Sequence, residues 1–131
     1  MLWILRLLFV VVLGSMLWVT SWASLHQSMF AIPHGVLSHP WFIATLFDAY
    51  WGFVTFYVWV AWKERGLPAR LLWFISVILL GNIAMSVYVL SELFRIKNSS
   101  QLGDVVAGRN PGRVVLPAAL TALGTAAYLV A

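Results

Sequence analysis

The sequence predicts an all-α integral membrane bundle of four transmembrane helices forming one polytopic domain. Three observations predict it. Of 131 residues, 63% are apolar and only 9% are charged, against about 25% charged residues in an ordinary soluble domain. Mean hydropathy is +0.93. The apolar residues also come in blocks of roughly 20, the length that crosses a hydrocarbon core of about 30 Å as a helix. A soluble fold of this size must cover its surface with polar groups, and this chain has too few of them.

The blocks are residues 2–23, 42–62, 71–94 and 114–131. The first carries Arg6 near its start, a residue expected to snorkel to the headgroups. Arg6, an apolar run and the small residues Ser21 and Ala23 also have the spacing of a signal peptide with a cleavage site. The segment is read here as a helix that stays. Pro40 marks the start of the second helix, and the short charged stretch Lys63–Arg70 connects it to the third. The loop 97–113, with Asn98-Ser99-Ser100 and Asn110-Pro111-Gly112, leads to a short extra helix rich in Ala and Gly. Small residues of this kind let membrane helices approach closely. Pro117 falls in that helix's first turn, where proline is tolerated. Eight Trp, among them Trp3, Trp22, Trp41, Trp62 and Trp73, are expected as belts at the two interfaces. Asn98-Ser99-Ser100 also matches a glycosylation acceptor, which matters only on a lumenal face.

Net charge is +4. The basic residues sit between apolar blocks, so topology and headgroups account for them, and nucleic acid is not an expected partner. The absence of cysteine excludes disulfides, thiolate metal sites and a cysteine nucleophile. Orientation is nearly tied. With four simple crossings, Arg6, Lys63, Arg65 and Arg70 face one side and Arg95, Lys97, Arg109 and Arg113 the other. Weight on the first helices favours both ends of the chain on the cytoplasmic side of a bacterial inner membrane.

Ionisable residues inside spans are functional candidates by default. Asp48 in the second helix and Glu92 near the end of the third are expected at one membrane face. The histidine-bearing connection would join them there, with Arg95 beside Glu92. Asn82 lies on the same third-helix face as Glu92 by 3.6-residue spacing. These four residues form a candidate polar cleft that could bind a cation or carry protons. The alternative is that Asp48 and Asn82 bond neighbouring helices and Glu92 rests at headgroup level beside Arg95. The aromatic residues Tyr50, Trp51 and Trp59, with His26, His34 and His39, are candidate contacts for a pigment or lipid. Packing is the competing explanation. The histidine spacing matches no metal-ligand signature, and no catalytic residue, metal or cofactor is predicted.

The stretch Pro40-Trp41-Phe42-Ile43-Ala44-Thr45-Leu46-Phe47-Asp48-Ala49-Tyr50 resembles a P-W-x-x-A-T-L-x-D-x-Y pattern. Trp59-Val60-Ala61-Trp62-Lys63-Glu64 and Gly81-Asn82-Ile83-Ala84 with Tyr88 are similar to companion W-V-x-Y-K-E and G-S-I-A-x-x-x-Y patterns. Together, over about residues 1–96, they resemble a family of small multi-pass membrane proteins of unknown function from plants and bacteria, including cyanobacteria. The resemblance implies a three-helix unit with Asp48, Trp59, Lys63 and Glu64 in its shared pattern. It implies no activity.

The expected function is therefore a non-catalytic accessory or structural subunit of a larger membrane complex, photosynthetic or respiratory, packed against other subunits, lipids or pigments. The alternatives are a membrane-embedded enzyme or carrier for a lipid or isoprenoid using Asp48, and a small oligomeric transporter.

Overall fold

A computed structural model describes residues 1–130; Ala131, the last residue of the expected fourth helix, lies outside the described residues. The described residues form seven α-helices and no β-strand: α1 (Leu2–His26), α2 (His34–Leu37), α3 (Pro40–Lys63), α4 (Leu67–Leu80), α5 (Asn82–Arg95), α6 (Leu102–Ala107) and α7 (Val115–Val130). Two of them, α1 with 25 residues and α3 with 24, are long and apolar enough to cross a membrane. The apolar helices α4 (14 residues) and α7 (16 residues) are shorter, about 21 and 24 Å at 1.5 Å per residue.

The third apolar block is not one helix, contrary to expectation. Gly81 adopts φ +52° and ψ −122°, a conformation that L-residues avoid and glycine tolerates. It ends α4 and starts α5. On one continuous helix Trp73 and Tyr88 would lie about 22 Å apart, yet their ring centroids are 4.7 Å apart. The chain reverses at Gly81 and α5 runs back along α4 as a helical hairpin. The glycine has a second cause. A Cβ at this position would sit 2.6 Å from Cζ of Phe53, so the tip of the hairpin is fitted against α3.

Three helices pack on this hairpin: α1 on α5, and both α3 and α7 on α4. Arg6 of α1 donates to the carbonyls of Leu93 (2.9 Å) and Ile96 (2.8 Å) at the end of α5. It is buried between the Trp3 and Phe94 rings, so it does not snorkel outward as expected. It closes the carbonyl end of α5 instead, where a cation also suits the helix dipole. Between α4 and α7, the buried Ser76 hydroxyl reaches the Pro117 carbonyl (3.1 Å) and the Thr121 hydroxyl (3.0 Å). Gly124 lets α7 come down on Leu79 and Leu80.

The buried core lies at one end of the molecule. Tyr88 takes Phe56, Trp59 and Trp73 edge-on around its ring. Leu2, Val89, Leu93, Ile96 and Val105 join α1, α5 and α6. Trp73 therefore belongs to this core and not to an interfacial belt, whereas Trp3, Trp22, Trp41 and Trp62 are exposed. At the other end α1 and α3 stand largely uncovered.

Candidate functional site

The hairpin brings the two ends of the third block together with the end of α3, and this assembles a buried polar cluster. Lys63 is the last residue of α3 and is fully buried. Its Nζ donates to the carbonyls of Val105 (2.6 Å) and Gly108 (2.7 Å) and lies 3.1 Å from Oε2 of Glu92. Trp59, one turn earlier on α3, places its ring under the same ammonium at 5.5 Å. The other oxygen of Glu92 accepts from Arg95 (2.9 Å) and from the Asn110 amide (2.8 Å).

Glu64 sits beside this pair. Its Oε1 accepts from the Tyr88 hydroxyl (3.0 Å) and from the Asn110 amide (2.8 Å). Asn110 thus bridges both carboxylates, and its own side-chain oxygen accepts from Arg95 (3.1 Å). Its backbone is fixed too: Asn110 N–H donates to Lys63 O (2.7 Å), and Arg65 N–H donates to Asn110 O (3.2 Å). This two-bond clasp holds the loop before α7 against the end of α3. Arg70 seals the outer side by donating Nε to the Glu64 carbonyl (2.7 Å), and Arg109 donates to the Trp62 carbonyl (2.9 Å).

Two charges of each sign meet here, Lys63 and Arg95 with Glu64 and Glu92. Buried charges persist only when paired and hydrogen-bonded, and each of these carboxylates has at least two donors. A cavity of about 500 Å³ opens from the cluster towards the start of α7. Glu64, Tyr88, Glu92, Arg95, Asn110 and Arg113 form its polar wall, and Trp73 with Val114–Pro117 its apolar wall.

Of the residues expected in a polar cleft, Glu92 and Arg95 are in contact. Asp48 and Asn82 are elsewhere. Asp48 is exposed on α3, fifteen residues before Lys63 and about 22 Å from it along the helix. Among the described residues it has no hydrogen-bond or ion-pair partner. The expectation that Asp48 and Glu92 share one face assumed a straight third helix, and the reversal at Gly81 sends Glu92 to the opposite end. Asn82 is exposed in the first turn of α5, beside the hairpin tip. Tyr50 and Trp51 are exposed on α3 and border an apolar surface groove. Trp59 is drawn into the core against Tyr88, and its indole N–H donates to Val106 O (2.9 Å).

The three histidines lie at the end away from the cluster and are exposed. His26 Nδ1 contacts the Trp22 carbonyl (2.8 Å), and His39 Nδ1 accepts the Trp41 N–H (3.3 Å) as the N-cap of α3. Both therefore serve their own helices. His34 opens the short helix α2.

The residues that sequence reasoning did not place in a site are Lys63, Glu64, Tyr88, Asn110 and Arg113. The first three were visible as letters of the motif patterns, and Lys63 also as a charge in the connection after the second block. Asn110 was read as loop chemistry, and nothing near it in the sequence points to two carboxylates 46 and 18 positions away.

No curated protein and no solved structure matches the chain. A family model described as a protein of unknown function, DUF1475, matches residues 2–108. The match reaches beyond the end at residue 96 expected from the motifs, and takes in α6 with the Val105 and Gly108 carbonyls that hold Lys63. The chain belongs to the DUF1475 family.

Proposed function

We propose that the protein is an integral membrane protein acting as a non-catalytic accessory subunit of a larger membrane complex. One observation carries the membrane part. Only 11% of the apolar window of α1 and 6% of that of α3 is buried. A core helix of a soluble protein would be mostly covered, and a pair of uncovered apolar helices exceeds the patches that soluble monomers expose.

In this reading α1, α3 and α7 cross the bilayer, with α7 the shortest. The hairpin α4–α5 enters from one side and returns to it, since each arm is shorter than the hydrocarbon core. Irregular backbone at depth, as at Gly81, is acceptable where protein covers it, and Phe53 does so. The hairpin also supports one orientation. Arg6, Lys63, Arg65, Arg70, Arg95, Lys97, Arg109 and Arg113 all lie at the cluster end, eight of the eight Lys and Arg. Side-chain contacts hold Arg6 to Ile96, Lys63 and Arg95 to Glu92, Arg70 to Glu64 and Arg109 to Trp62, and Arg113 lines the cavity. The positive-inside rule then puts the start of α1 and the cluster in the cytoplasm, and the end of α7 on the far side.

Asp48 supports the subunit part. It is a carboxylate about 12 Å into an apolar helix, and such groups in membranes pair with something. It has no ion-pair partner among the described residues, and every Lys and Arg is at the other end. A neighbouring subunit would supply the donor. An enzyme built on Asp48 is less well supported, because Asp48 has no hydrogen-bond or ion-pair partner among the described residues.

The chain has no native cysteine, so single cysteines report topology without background. In intact cells Ser38→Cys is expected to react with an impermeant thiol reagent. Arg65→Cys and Ser100→Cys are both expected to react only after lysis. Labelling of Ser100 from outside would restore a simple third crossing and refute the hairpin topology. Purification of the intact chain in mild detergent should yield defined stoichiometric membrane partners, lost in Asp48→Ala. Recovery as an isolated monomer in both cases would refute the subunit reading.

A further inference from the structure

We infer that the cavity beside the cluster is a binding site for the phosphate group of an anionic phospholipid, held between Arg95 and Arg113. The proposal rests on the membrane reading above, which places this cavity at the cytoplasmic headgroup level.

The electrostatics argue for an anion. Glu92 is already satisfied by Lys63, Arg95 and Asn110, and Glu64 by Tyr88 and Asn110. The paired charges of the cluster therefore cancel, and Arg113 is left over. Arg113 lines the cavity, and its side chain has no hydrogen-bond or ion-pair partner among the described residues. Arg95 uses NH1 for Glu92 and Asn110, and its side chain keeps 38% of its surface exposed, so the remaining guanidinium edge can receive a second acceptor. Planar guanidinium donors are suited to phosphate oxygens. The first turn of α7, Val115–Pro117, lines the same cavity and brings the positive end of that helix to it.

The shape argues for a lipid as the source of the phosphate. One wall is polar, and the other is Trp73 with Val114–Pro117. Val115 and Leu116 lead from that wall to the outside, with Val115 80% exposed. An amphiphile can place its phosphate at the arginines and run its chains out over α7. A free phosphate uses only the polar half.

The test uses the full chain purified in mild detergent and native mass spectrometry of bound lipid. Mixed micelles carry phosphatidylglycerol or phosphatidylcholine, and a third arm carries inorganic phosphate. One phosphatidylglycerol is expected to be retained in preference to phosphatidylcholine. Arg113→Gln should weaken that retention about tenfold, the scale of one lost charge-assisted bond, and Arg113→Lys should restore part of it. Arg113 is exposed, so its replacement leaves the core intact. Arg65→Gln removes an exposed arginine at the same end outside the cavity, and should change nothing. Equal loss in Arg65→Gln, or no preference between the two lipids, would overturn the site. Displacement of the lipid by millimolar inorganic phosphate would overturn the lipid as its source. A chain that labels as predicted for the hairpin topology but shows no lipid preference refutes this site alone.

Discussion

Glu92→Gln is the sharpest probe of the buried cluster. The change keeps volume and shape and removes one negative charge. In the native fold that charge faces Lys63 Nζ at 3.1 Å and Arg95 at 2.9 Å, with side-chain exposures of 0% for Lys63 and 6% for Glu92. Lys63 cannot turn to water without breaking its bonds to the Val105 and Gly108 carbonyls. Removing one partner of a buried ion pair typically costs about 3–5 kcal/mol, because the other charge is left uncompensated. The two carbonyls still hold the ammonium, so the lower end, about 3 kcal/mol, is expected. The assay is equilibrium unfolding in mixed micelles of mild and denaturing detergent, followed by tryptophan fluorescence. Lys63→Met together with Glu92→Gln should cost less than the sum of the two single changes, since neither then strands a charge on the other; couplings of about 0.5–3 kcal/mol are usual for such contacts. A Glu92→Gln loss below about 0.5 kcal/mol, or simple additivity in the double variant, would refute the claim that this pair fastens the hairpin to α3.

Two further perturbations address the hairpin itself. Gly81→Ala should destabilise the fold by about 1–3 kcal/mol through its positive φ alone, with the clash against Phe53 added; Phe53→Ala in the same chain should remove the clash and not the backbone strain, so it should rescue the loss only in part, and an unchanged Gly81→Ala unfolding midpoint would refute the turn. Arg6→Lys keeps the charge but loses the planar fork that reaches two carbonyls and lies between Trp3 and Phe94; it should cost about 1–2 kcal/mol and speed hydrogen exchange in the last turn of α5, and unchanged exchange there would refute its capping role.

The helical class was legible because apolar blocks of this length leave few other structures open. Helices α1 and α3 follow the first two blocks closely, and the start of α3 at Pro40 was readable from the proline. The hairpin was not legible. A single glycine in an apolar helical run is ordinarily tolerated, and residues on either side of Gly81 keep a helical pattern. What turns Gly81 into a reversal lies far along the chain: Phe53 at the tip, and Lys63 drawing Glu92 back. Two misplacements follow from that one unread turn: Asp48 and Glu92 were set at one face, and Trp73 was assigned to an interface. Glu92 and Arg95 were legible as a pair because they are one turn apart on one helix, and this survives any topology.

The cluster and the turn also explain each other. Burying Lys63 and Glu92 carries a desolvation cost of several kcal/mol for each ion, so the pair alone is a poor fastener. It becomes stable only with the Val105 and Gly108 carbonyls, Arg95 and Asn110 in place, and all of these come from the segment that the hairpin returns to the end of α3. A straight third helix would strand Lys63 at one end and Glu92 at the other, each needing water or a headgroup. The residues that make the return necessary, Lys63, Glu64, Gly81, Tyr88, Glu92 and Arg95, fall inside the region shared with the family, residues 2–108. Asn110, Arg113 and α7 fall outside it. The hairpin is therefore the part of this architecture to look for in other members, whereas the cavity depends on how each chain continues past residue 108. In this chain the continuation supplies both the amide that bridges the two carboxylates and an arginine, Arg113, on the cavity wall.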